Sequence, residues 1–231
     1  LEAPDAESAS AALQVQAEID LGALEVDMSE LADTTGEVTL QLGGGDLEGV
    51  GLGVGDSVGS GASFFGVEAR GNRFAFVVDT SGSMVNDGRL GSMQQELIRS
   101  ISGMFSSSDF FIAFFNSGAR PLGDRGVVWA QATDSGKNWA RGHILATRAE
   151  GGTNPTPGFQ LVASLEPQPD AIYFMTDGEF HENNAEQILD MFRRTGIPIH
   201  CITFRSREGE AVMRRIAAAT RGTYTHVEGR R

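Results

Sequence analysis

The chain has 231 residues, 40% of them hydrophobic and 21% charged, a globular composition with enough apolar material for one sizeable core, which excludes a wholly disordered polymer. The net charge of −13 is uneven: residues 1–69 hold fourteen Asp or Glu and no Lys or Arg, whereas residues 70–231 hold seventeen acids and eighteen bases, contributions of −14 and +1. An acidic lead joined to a nearly neutral remainder lacks the basic face that replaces counterions on a polyanion, so nucleic acid is excluded as a partner.

In chain order, residues 13–21 (LQVQAEIDL) and 37–42 (EVTLQL) alternate apolar and polar with period two and predict two short strands. The glycines clustered over residues 43–66 follow directly and have the composition of a flexible spacer. Residues 1–63 are therefore expected to be an acidic, Gly-rich tail or linker, mostly disordered, with the folded domain over 64–231. No stretch reaches the roughly twenty apolar residues of a membrane span. The chain begins at Leu1 without Met, so a signal, or a membrane tether upstream of Leu1, stays open. The single cysteine, Cys201, sits in the apolar run IPIHCITF and reads as a small buried hydrophobe, leaving the redox compartment undetermined.

From Phe64 onward the pattern alternates strands and helices, the signature of an α/β sheet with helices on both faces. RFAFVVD at 73–79 is a buried strand ending in an acid. Leu90, Met93, Leu97, Ile101 and Met104 recur at helical spacing and predict an amphipathic helix over 90–105. FFIAFFN at 110–116 is the next strand, and VVWA at 127–130 is expected to be its hairpin partner, making the sheet mixed. Helices over 138–147 and 158–165, the strand AIYFMTD at 171–177, a helix over 185–195 stopped by Gly196, the strand IPIHCITF, a helix over 210–220 and an edge strand at 223–227 complete six strands.

In open α/β sheets functional groups stand beyond the carboxyl ends of the strands. Two strands end alike there, one at Asp79 running into TSGSM and the other at Asp177 running into GE. Two acids at neighbouring strand ends repel unless a positive charge lies between them. The nearby hydroxyls of Ser81, Ser83 and Thr153 add only oxygens, and such a donor set suits a hard cation, Mg2+ before others.

The segment DTSGS (Asp79 to Ser83), Thr153 in GGTNP and Asp177 in MTDGE, in this order, resemble the von Willebrand factor type A domain and its metal-ion-dependent adhesion site, over about residues 64–229. The resemblance implies a doubly wound, Rossmann-like six-stranded mixed sheet with one antiparallel edge. It also implies Mg2+ (or Mn2+) ligation by Asp79, Ser81, Ser83, Thr153 and Asp177, some through water. The partner it implies is a protein offering an Asp or Glu carboxylate to the ion. Relatives of this kind with low-complexity leads imply a tethered, extracytoplasmic or cell-envelope location, with the cytoplasm as alternative.

Competing readings are weaker in chemistry. Gly55 to Gly59 matches a G-x-S-x-G elbow, but no apolar strand leads into it. A phosphatase of the haloacid-dehalogenase type needs a second acid where Ser81 stands, and Lys137 is followed by Asn138, so no phosphate-binding P-loop exists. His143, His181, His200 and His226 match no zinc spacing, and His200, inside a strand, reads as a satisfied core residue. The expected function is metal-dependent protein binding without catalysis. Its rivals are a metal-assisted hydrolase, for which Glu179 is the nearest base, and a structural envelope scaffold with a vestigial site.

Overall fold

The computed structural model describes residues 61–178 and 180–228. The strands expected at 13–21 and 37–42, the elbow-like segment at 55–59 and Glu179 lie outside the described residues. Among the described residues, β1 (Gly61–Phe64) pairs antiparallel with β2 (Val67–Arg70) in a separate two-stranded hairpin. Phe65 and Gly66 turn it, both with positive φ.

The main sheet contains β3 (Arg73–Asp79), β4 (Asp109–Phe115), β5 (Ala119–Pro121), β6 (Ala130–Gln131), β7 (Ala171–Thr176), β8 (Ile199–Phe204) and β9 (Tyr224–Val227). Its order is β5-β4-β3-β7-β8-β9, with β6 also on β4. The neighbours β4-β3-β7-β8-β9 are parallel, whereas β5 and β6 are antiparallel to β4. The expected mixed, doubly wound sheet is present, but its antiparallel edge differs in detail. Instead of one strand over 127–130, β5 covers the end of β4 at Ala113–Phe115 and β6 covers its start at Asp109–Phe110, so seven strands fill six lateral positions. Val127 and Val128 stay off the sheet and are exposed, and Trp129 is held aside by its indole N–H donating to the Pro167 carbonyl at 2.8 Å.

The helices are α1 (Arg89–Gly103), α2 (Asp134–Leu145), α3 (Thr156–Ala163), α4 (Glu182–Phe192) and α5 (Glu210–Ala219). The second starts four residues earlier than expected because Thr133 caps it, its hydroxyl accepting from Gly136 N. Alternation along the central strands divides the core in two. Phe74, Phe76 and Val78 of β3 pack with Met93, Leu97 and Ile101 of α1 and Ala140 and Ile144 of α2. Ala75 and Val77 pack with Phe159 of α3, Ile188 and Phe192 of α4 and Met213 of α5 on the opposite face. Cys201 is buried in this second core, as expected, and burial pushes its thiol pKa up. His200 is buried too, its Nδ1 2.9 Å from Thr223 Oγ1, and burial holds its imidazole below the usual range.

The hairpin belongs to the first core. Phe64 is fully buried, edge-on to Phe76 at 5.4 Å and to Tyr173 at 5.8 Å, and the Tyr173 hydroxyl donates to the Ala62 carbonyl at 2.6 Å. Phe65 N donates to Glu96 Oε1 on α1 at 2.8 Å, tying the turn down. Phe64→Ala is therefore expected to cost about 3–5 kcal/mol of unfolding free energy. Phe105→Ala, at a side chain 60% exposed, should stay within about 0.5 kcal/mol. Urea denaturation of both variants checks the contrast, and equal small losses would show the hairpin to be an ornament.

Candidate metal centre

The parallel register sets the site. Val78 pairs with Met175, so the next residues, Asp79 and Thr176, meet at the carboxyl edge, where Thr176 Oγ1 donates to Asp79 Oδ2 at 2.6 Å. The other carboxylate oxygen, Oδ1, accepts from Ser81 N at 2.7 Å, an Asx-type turn that starts the loop after β3. That loop is stitched to its neighbours: Thr80 N donates to the Phe115 carbonyl at the end of β4, and Glu150 N donates to the Thr80 carbonyl, both at 2.8 Å. Gly82 N donates to the Gly151 carbonyl at 2.9 Å, and a Cβ on Gly82 would stand 3.3 Å from that oxygen, so glycine permits the close approach of the two loops.

Four of the five expected ligand residues form one hydrogen-bonded chain. Asp79 holds Ser81 through its backbone, Ser81 Oγ lies 3.0 Å from Ser83 Oγ, and Ser83 Oγ donates to Asp177 Oδ1 at 2.7 Å. Thr153 arrives differently. It is half-buried on the loop between α2 and α3, which is fixed by Gly152 N donating to Ser117 Oγ at 2.8 Å and Asn154 N donating to the Asn116 carbonyl at 2.7 Å. Among the described residues its side chain makes no hydrogen bond to the other four.

Two further side chains partner these acids. Thr176 lies inside the strand run and shows no motif of its own. Arg89, the first residue of α1, is the positive charge beside the acids: its Nη1 donates to Asp177 Oδ2 at 2.7 Å, and its Nη2 is 3.7 Å from Asp87 Oδ2. The visible signal was a base opening a helix, where the helix dipole favours acids.

Asp79 is fully buried, and among the described residues it has no ion pair. Desolvation raises its pKa to about 6; the Ser81 and Thr176 hydrogen bonds oppose this, and the Asp177 charge adds a smaller upward push. Among the described residues no three His, Cys, Asp or Glu gather, so a cation at this edge needs the hydroxyls as donors. Two carboxylates with neutral oxygens, one carboxylate lacking a compensating charge, fit a hard divalent ion. Beside the site opens a cleft of about 400 Å³ lined by Asp87, Arg89, Arg205, Arg207, His226 and Glu228. Desolvation first, then the Arg207 guanidinium, hold the His226 imidazole below its usual range.

The raised pKa of Asp79 has a definite sign. A carboxyl that holds its proton more tightly when folded stabilises the fold below about pH 4, the unfolded value, and that contribution is lost as pH rises through about 6. In chelator, Asp79→Asn should therefore gain on the parent between pH 4 and 7.5, by roughly 3 kcal/mol at most. Urea titrations across that range check it, and stability curves that run parallel would contradict it.

The Escherichia coli K12 protein YfbK, itself uncharacterized, is 25% identical over 169 residues, 68% of this chain, which spans only 28% of YfbK. Among solved structures, a von Willebrand factor type A protein from Catenulispora acidiphila is similar with a TM-score of 0.63 and 16% identity, over 71% of this chain and 41% of that one. The pilus adhesin SpaC of Lactobacillus rhamnosus GG is similar with a TM-score of 0.52 and 14% identity, over 68% of this chain and 28% of its own. These structural likenesses establish the fold; residues 72–226 match the von Willebrand factor type A domain itself, and the chain belongs to that family.

Proposed function

We propose that this domain is a protein-binding module rather than an enzyme, in which Asp79, Ser81, Ser83, Thr153 and Asp177 hold Mg2+ or Mn2+ for recognition of an Asp or Glu carboxylate on a partner protein. The observation that carries this reading is the hydrogen-bonded chain from Asp79 through Ser81 and Ser83 to Asp177 at the ends of adjacent strands. When bound, the ion supplies an electrophilic position that three neutral hydroxyls leave under-compensated. The rim supports docking of a protein: Val85 is 65% exposed two residues after Ser83, an apolar contact beside the polar centre. The likeness to a pilus adhesin supports an extracytoplasmic or cell-envelope setting, with the domain tethered there.

Mn2+ or Mg2+ should raise the melting temperature of the full chain, because only the fold gathers these donors, and Asp79→Ala should erase the rise. An unchanged response in Asp79→Ala would remove the ligand assignment, and no response in the parent would favour a scaffold with a vestigial site. Partner capture should be lost in chelator and in Asp177→Ala while the circular dichroism spectrum stays intact. A protein partner held equally well in chelator would defeat the carboxylate mechanism.

A further inference from the structure

Arg89 stands within the site and belongs to no part of the donor set. The turn before it is unusual: Asp87 and Gly88 both take left-handed backbone angles, φ 51° and 69°, and together they redirect the chain as α1 begins. Gly does this freely and Asp tolerates it, so the sequence NDG before Arg89 suits the turn. The result is an ion pair between a guanidinium only 18% exposed and an Asp177 side chain with no exposure at all. The second acid near Arg89, Asp87, is 66% exposed and 3.7 Å away, a weak partner in water. Arg89 Nε is buried with no hydrogen-bond partner, so Asp177 is the group that holds the guanidinium in place.

We propose that Arg89 is the resident counter-ion of the site, holding Asp177 Oδ2 and competing with a divalent cation for that carboxylate. This rests on the metal reading of the preceding section. Asp79 and Asp177 carry two negative charges when ionised, and Arg89 returns one positive charge, so an arriving dication meets the net field of a single carboxylate. It is also repelled by the guanidinium that sits 2.7 Å from one of its ligand oxygens. Arg89 thus makes occupancy weaker than the donor set alone would give, and it leaves a bound ion short of negative charge. It is a positioning residue, since it acts through Asp177.

The test is calorimetric titration of the full chain with Mn2+, comparing the parent with Arg89→Gln and Arg89→Lys. Arg89→Gln should bind on the order of tenfold tighter or more, while Arg89→Lys, which keeps the charge, should stay near the parent. A merely structural role for Arg89 predicts the reverse, because loosening the loop would weaken binding. In chelator, Arg89→Gln should melt below the parent and recover on adding Mn2+. There the double variant Arg89→Gln/Asp177→Asn should lose less than the sum of its parts, because neither charge is then left unpaired. If Arg89→Gln fails to fold in chelator, the double variant must fold; if it does not, the pairing is not what the substitution broke and the proposal falls. Equal or weaker Mn2+ binding by folded Arg89→Gln, with the parent binding, overturns this inference and leaves the metal reading standing. Binding by Arg89→Gln but not by the parent supports Arg89 as the competing counter-ion and overturns the metal reading for the parent, whose site is then vestigial. No binding by either overturns both.

Discussion

Two carboxylates buried side by side are the constraint around which the rest of this domain is organised. Parallel pairing of β3 with β7 brings Asp79 and Asp177 to the same carboxyl edge, and neither can shed its charge into water. An unpaired buried charge is among the costliest features a fold can carry, so each oxygen is answered individually. Ser81 N and Thr176 serve Asp79, and Ser83 and Arg89 serve Asp177. The loops that supply these donors are held by backbone hydrogen bonds to one another and to β4. A one-residue slip of β7 against β3 would carry Thr176 and Asp177 to a different height from Asp79.

The two acids are not answered equally. Asp177 has a full positive charge against it, whereas Asp79 has only dipoles, and its elevated pKa is the residue of that shortfall. A domain selected only for stability would place an apolar residue at the end of β3, since a well-packed hydrophobe in such a position is often the more stable choice. A poorly compensated carboxylate at this edge is what the proposed binding function requires of it.

Much of this was legible in the sequence, for physical reasons that differ by region. The central strands are continuous apolar runs bounded by turns, and the chain order of DTSGS, GGTNP and TDGE marks the loops that share an edge. The hairpin is not legible because GASF closes a glycine-rich stretch and is too short to show period two; its identity as structure depends on Phe64 finding Phe76 and Tyr173. The antiparallel edge is not legible because its two strands have three and two residues, below any periodicity. Arg89 is not legible because a base at the start of an amphipathic helix resembles its solvated face, whereas the left-handed turn at Asp87 and Gly88 precedes its inward pairing with Asp177. For Thr153 the sequence signal is motif order, and the structure brings its loop into contact with the first loop, while among the described residues its hydroxyl makes no hydrogen bond to the other four.

One buried atom has implications of another kind. Cys201 Sγ is enclosed in the core between the sheet and the outer helices, and burial keeps it in the thiol form, the poor nucleophile. It can form no disulfide within the chain, and in the folded state it is hidden from oxidants, glutathione and alkylating reagents alike. Thiol chemistry in the described fold is therefore indifferent to the redox poise of its surroundings. The same seclusion makes the lone sulfur a chronometer intrinsic to the molecule: its rate of chemical trapping counts how often this core opens, with no label added and no residue changed.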